Sequence, residues 1–197
     1  MVKISAILLG AGESKRMGVN KLSLRWGKRT VFEHCLLTLL QSKVEEVIVV
    51  INNRIKGVVH PPQDQKVKIV INTSYRKGMS TSIRRGLQAI DPRSQGILIA
   101  LGDQPLLKAK TINALIHAFA LRKGAIIIPT YRGVRGHPVI FDKKFKKELM
   151  KIKGDMGGRS IIKRYPEDIW KVYVRSGGVV KDIDIWKDYK REVGETG

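Results

Sequence analysis

Leu8-Leu9-Gly10-Ala11-Gly12-Glu13-Ser14-Lys15-Arg16-Met17-Gly18-Val19-Asn20-Lys21 continues an apolar, strand-like run that starts at Lys3, and its reading decides the fold. A glycine-rich, cation-bearing loop directly after such a strand is where an open α/β sheet receives its ligand. The glycines let the backbone approach a ligand and offer N–H groups to phosphate oxygens. Arg16 can grip a phosphate with its planar fork, and Lys21 can act as a point charge. The spacing Gly12…Gly18…Lys21 is not that of a P-loop, and Lys15 replaces the third glycine of a dinucleotide fingerprint. An ordinary P-loop ATPase and a dinucleotide dehydrogenase are thereby excluded.

Outward from this loop, β-branched runs alternate with helical patterns. Strands are expected at Lys3–Leu9, Glu46–Ile51, Val67–Ile71, Gly96–Leu101 and Ala125–Pro129, and helices near Thr30–Gln41, Ser80–Ala89 and Thr111–Leu121. That alternation predicts an α/β fold, a Rossmann-like, doubly wound and mostly parallel sheet. After Pro129 come a loop (Tyr131 to Gly136), a short strand (Pro138–Phe141), a basic helix (Asp142–Lys151), strands at Ile169–Val174 and Val179–Ile183, and a short helix carrying Trp186 and Tyr189. One domain over 1–197 is expected, with a nucleotide-binding part at about 1–129 and a small substrate-side β/α lobe at about 130–197.

The length of 197 residues, with 43% hydrophobic and 28% charged residues, suits one globular α/β domain. No apolar run approaches the roughly 20 residues of a membrane span, and the short run at Ile4–Leu9 lacks a cleavage site, so a cytoplasmic protein without a membrane partner is expected. The single cysteine, Cys35, falls in an apolar helical pattern and reads as a buried thiol. The net charge of +21 creates a field that attracts phosphate-bearing ligands, nucleic acid or anionic membranes. Aromatic residues at 6% and the absence of RRM, zinc-finger or basic-zipper patterns speak against a nucleic-acid-binding module, which stays as the alternative from another class.

The apolar strand Gly96–Leu101 runs into Gly102-Asp103-Gln104-Pro105 and so delivers a carboxylate to the ligand edge of the sheet, where it can hold Mg²⁺. A turn or helix cap is the plainer role for such an Asp. Asp182-Ile183-Asp184 offers a second pair, because alternate strand residues face one side. Gly78 to Ser82 can cap a helix or present its N-terminal N–H groups to an anion or a base edge. His137 and Arg159, in loops rich in glycine, can contact an anion, while four scattered His and one Cys give zinc little support.

With these residues in view, G-A-G-x-S-x-R-M-G-x-x-K resembles the signature of the molybdopterin-type, MobA-like NTP transferases, whose members include molybdenum cofactor cytidylyl- and guanylyltransferases. The resemblance implies a nucleotide-diphospho-sugar transferase type of fold. It also implies that Leu9, Gly10, Ala11, Gly12, Arg16, Lys21, Gly78, Ser82, Gly102 and Asp103 bind nucleotide. Gln104, Gly136, His137, Pro138, Gly157 and Arg159 would line the substrate side, Asp103 and Asp184 the metal, with Arg16, Lys21 and Asp103 as the catalytic groups. The family usually continues D-I-D-T-P-E-D, where this chain has Asp182-Ile-Asp184-Ile-Trp-Lys-Asp188.

The activity so implied is transfer of CMP from CTP to molybdopterin-bound molybdenum, with release of pyrophosphate. Ala11 and Gln104 resemble the cytidylyl branch; GTP is the alternative, followed by other phosphorylated acceptors. A molybdoenzyme or its chaperone is the protein partner the resemblance suggests. The expected partners are thus an NTP and a phosphorylated pterin, with no specific nucleic acid.

Overall fold

Continuous apolar runs form the middle of one sheet, and the helices between them bury one stripe each against its two faces. A computed structural model describes residues 2–12, 17–57 and 62–194. In chain order these form β1 (Ile4–Gly10), β2 (Arg25–Trp26), β3 (Arg29–Thr30), α1 (Val31–Leu40), β4 (Glu46–Ile51), β5 (Val67–Ile71) and α2 (Met79–Ala89). Beyond α2 come β6 (Gly96–Leu101), α3 (Ala109–Ala120), β7 (Ile126–Tyr131), β8 (Val134–Arg135), β9 (Val139–Asp142), α4 (Lys146–Leu149), α5 (Arg159–Arg164), β10 (Ile169–Tyr173) and α6 (Trp186–Gly194).

The main sheet has the order β10-β7-β9-β6-β1-β4-β5, with β8 hairpinned onto β7, and β2 pairs with β3 in a separate ribbon. The pairs β6/β1, β1/β4, β4/β5 and β10/β7 are parallel, whereas β9 runs antiparallel to both neighbours. Central strands of parallel sheets are covered on both faces, which is why β1, β4 and β6 read as unbroken apolar stretches. One face carries α1 and α3 through Phe32, Leu36, Leu39, Ile112 and Leu115; the other carries α2, α4 and α5 through Ile83, Leu87, Leu149 and Ile161. Cys35 is buried among the first set, and burial pushes its thiol pKa up. No helix among the described residues is long and apolar enough to cross a membrane.

Local chemistry sets the boundaries. Thr30 accepts from Glu33 N while the Glu33 carboxylate accepts from Thr30 N, a reciprocal cap that starts α1 where the β2–β3 ribbon ends. The loop expected at Tyr131 to Gly136 contains the turn Arg132-Gly133, with φ +48° and +82°, which joins β7 to β8 in the manner of a type I′ hairpin.

Two expected elements differ. The basic helix over Asp142–Lys151 is cut short because Asp142 is the last residue of β9 and its carboxylate caps a 3₁₀ turn, Lys143–Phe145, leaving only α4. The strand expected at Val179–Ile183 does not form. A 3₁₀ turn at Gly177–Val179 takes its start, and the rest of the segment is tied by a backbone bond from Ile183 N to Asp103 O at 3.0 Å instead of joining a ladder.

Candidate active site

Parallel register places the ends of β1 and β6 side by side: Leu9 is opposite Leu101, and Gly102 N donates to Leu9 O at 2.9 Å. Gly10 and Gly102 both face the ring of Phe32 in α1, so closely that a methyl group on either would overlap it. The two strand ends thereby sink against α1 and leave their next residues, Ala11 and Asp103, at the carboxyl edge. Ala11 O accepts from the buried Asn52 Nδ2 at 2.9 Å, and Asn52 itself comes directly after β4. Gly12 ends this described stretch; Arg16 lies outside the described residues.

Beyond Met17 the chain turns at Asn20, whose side chain caps a 3₁₀ turn, Lys21–Ser23. This turn aims Lys21 inward. Its Nζ lies 2.5 Å from Asp103 Oδ2 and 2.8 Å from Asp184 Oδ1. Burial alone pulls an ammonium pKa down, but the charges and hydrogen bonds of Asp103 and Asp184 outweigh it and hold Lys21 above its ordinary value. The other oxygen of Asp103, Oδ1, is buried and has no hydrogen-bond partner among the described residues.

Asp184 arrives from the far end of the chain. Ile183 is buried with Met17, Trp26 and Val31, which fixes the segment between two carboxylates. Trp186 Nε1 donates to Met17 O at 3.2 Å and Tyr189 OH to Arg25 O at 2.6 Å, so α6 is stapled to the N-terminal region. Asp182 accepts from Gln104 Nε2 at 2.6 Å, and its carboxyl is held above the usual range by burial and by the neighbouring Asp103, partly offset by that bond.

Among the residues expected to line the substrate, the Val179 carbonyl accepts from His137 N at 2.8 Å and from Gln104 Nε2 at 3.3 Å. Gly136 presses against that same carbonyl and Gly178 against the carbonyl of Leu106, with no room for a Cβ. His137, next to the buried Pro138, is held below its ordinary pKa by burial and by the Arg159 charge, and is therefore neutral at physiological pH. Its Nδ1 has no partner among the described residues.

The remaining expected residues gather around the start of α2. Gly78, at φ +100°, lies against Gly154; Ser80 N donates to Gly154 O at 3.0 Å and Met79 N to Asp155 Oδ1 at 2.9 Å. The first turn of α2 is thus capped by the loop that carries Gly157 and leads to the exposed Arg159. Ser82 and Thr81 accept from Asn72 Nδ2 at 2.9 and 2.8 Å. Lys21, Asp103 and Asp184 therefore meet directly, Gln104 follows Asp103 and holds Asp182, His137 shares the Val179 carbonyl with Gln104, and Gly78 and Ser82 belong to the start of α2. Beyond β4 and β5, on the same carboxyl edge, Asn53, Arg54, Thr73, Tyr75 and Arg76 line a cavity of about 330 Å³.

Asn52 and Asn72 escape the sequence reading, although each is an Asn directly after an apolar parallel strand, a place where the chain must turn and its backbone needs partners. Among the described residues, no group of three or more His, Cys, Asp or Glu could hold a metal ion unaided. The partnerless Asp103 Oδ1 fits a different arrangement, in which Mg²⁺-type ions take one or two carboxylates and complete their shell with substrate phosphates and water.

The model of the MobA-like NTP transferase domain matches residues 6–169. Purine catabolism protein PucB of Bacillus subtilis (strain 168) is 28% identical over 93% of this chain and 92% of its own length. Molybdenum cofactor cytidylyltransferase of Escherichia coli (strain K12) is 25% identical over 96% and 95%. The crystal structure of Rv0371c from Mycobacterium tuberculosis H37Rv covers 98% of both chains at 26% identity and a TM-score of 0.84; its complex with manganese covers 98% and 99% at 24% and 0.80.

Proposed function

This chain belongs to the MobA-like NTP transferase family and is a nucleotidyltransferase, and from that premise we propose that it transfers CMP from CTP to molybdopterin-bound molybdenum cofactor and releases pyrophosphate. The observation that carries the reading is the convergence of Lys21, Asp103 and Asp184 where β1 and β6 end side by side, with one Asp103 oxygen left without a partner among the described residues. A cation and a carboxylate pair at this edge fit an NTP triphosphate and a divalent ion, taken as Mg²⁺; the manganese complex of Rv0371c is in keeping with an ion of this kind.

In this reading Gly10, Ala11 and Gly12 bring the backbone to the triphosphate, Arg16 and Lys21 neutralise it, and Gly78, Ser82 and Gly102 border the nucleotide. Asp103 and Asp184 hold the metal, which when bound neutralises charge on the phosphates. Gln104, Gly136, His137, Pro138, Gly157 and Arg159 border the acceptor. Lys21 stabilises the charge that moves toward pyrophosphate as an acceptor phosphate oxygen attacks the α-phosphorus. No strong base is needed, since a phosphate monoester with a second pKa near 6 is already largely ionised. A neutral His137 suits this, as it can receive a donor from the acceptor without taking its proton.

The test is pyrophosphate release from each of the four NTPs with molybdenum cofactor and Mg²⁺. CTP is expected to be turned over fastest. Preference for GTP would move the chain to the guanylyl branch, and turnover only with another phosphorylated acceptor would replace the substrate. Release from no NTP with any phosphorylated acceptor contradicts the whole reading.

A further inference from the structure

Lys21 Nζ already sits on Asp103 Oδ2 at 2.5 Å, and the unpartnered Oδ1 is buried, so the ammonium holds the oxygen of this carboxylate that a cation would meet first. The same ammonium lies 2.8 Å from Asp184 Oδ1, between the two carboxylates best placed to share a divalent ion. The protein's own cation therefore occupies the ground a metal would need. A second cation entering beside it meets like charge at close range, in a partly buried setting where screening is weak.

We infer that Lys21 keeps the metal position closed until a nucleoside triphosphate draws its ammonium away, so that nucleotide and divalent metal bind as a coupled pair. The inference rests on the proposed roles of Asp103, Asp184 and Lys21. The lysine stem is flexible and its head is a point charge, so it can exchange one set of anionic oxygens for another without rebuilding the backbone. The 3₁₀ turn capped by Asn20 fixes its root, so the exchange needs only the side chain to move. Linkage dictates the reverse direction: a triphosphate arriving without metal faces two carboxylates that Lys21 no longer neutralises, so metal must favour nucleotide by the factor by which nucleotide favours metal.

The test is Mn²⁺ binding to the nucleotide-free full chain, monitored by the EPR signal of free Mn²⁺. Wild type should bind weakly. Lys21→Met and Lys21→Gln, which take the ammonium away from both carboxylates, should bind on the order of 5–150-fold more tightly, the usual range of coupling between sites. Lys21→Arg should stay weak, and adding Asp103→Asn to Lys21→Met should abolish the gain. Two neutral replacements and a melting curve guard against one that does not fold. On wild type alone, calorimetry should show CTP binding more weakly than its Mn²⁺ complex. Unchanged or weaker Mn²⁺ binding in the folded neutral variants, or equal affinity for CTP and Mn²⁺–CTP, overturns the inference. If wild type still releases pyrophosphate in that case, the functional reading survives the loss of the coupling.

Discussion

On the proposed nucleotide side, Asp103 and Lys21 reach the site as side chains projected from a buried strand and a capped turn, and they hold each other by charge. On the proposed substrate side, Gln104 and His137 are positioned by one backbone carbonyl, that of Val179, and the fit depends on Gly136 and Gly178 having no side chain. The first arrangement is written in residue types, apolar run and then acid or base. The second is written in backbone shape, and a sequence shows little of it. The contrast predicts that changes on the nucleotide side cost activity first, while changes on the substrate side cost stability first.

The largest effect is expected for Lys21→Ala. Removing one charge-stabilising group should lower turnover at saturating NTP by about 10²–10³ while the melting transition stays cooperative. Unchanged turnover would take Lys21 out of the chemistry and remove the contrast.

Gly178→Ala should act the other way. Its new methyl group would overlap the Leu106 carbonyl, a backbone atom that cannot rotate aside. Overpacking of this kind costs about 1–3 kcal/mol, which for a chain of this size lowers Tm by about 2–12 °C. The measurement is thermal unfolding, and an unaltered Tm would show that the Gly177–Val179 turn is not pinned as described.

A smaller effect belongs to His137. Burial and Arg159 hold its pKa below the ordinary 6.5, so the folded chain resists a proton that the unfolded chain accepts. Stability from this source is complete above pH 6.5 and is lost as pH falls from there toward the folded pKa. His137→Gln should flatten that part of the Tm-against-pH curve; a parallel curve would mean that His137 does not titrate differently on folding.

The sequence made β1, β4, β6 and the Asp103 position legible because a strand buried on both faces must be apolar throughout and must end where polarity resumes. The expected strand at Val179–Ile183 failed for an instructive reason. Its alternation is real, in that Ile183 is buried between two carboxylates that reach the site. Pairing is what fails, since Gly177 and Gly178 commit the start of the segment to a turn against Leu106. Similarly, Asn52 and Asn72 gave no motif to recognise, because holding a loop carbonyl or a helix hydroxyl requires only an amide in the right place. Ser82, expected beside the nucleotide, is tied to Asn72 in the structure, so its position is set by that bond.

The most direct test of the central claim is pyrophosphate release by Asp103→Asn and wild type across a Mg²⁺ titration, with Tm measured alongside. Asn keeps the shape of the side chain and caps a turn about as well as Asp, but it gives up the charge that a metal requires. If Asp103 holds the metal, the variant should need far more Mg²⁺ and lose most of its activity while still melting cooperatively, with any fall in Tm reflecting the lost Lys21 pair. Near-normal activity at low Mg²⁺ in the Asn variant would contradict the account.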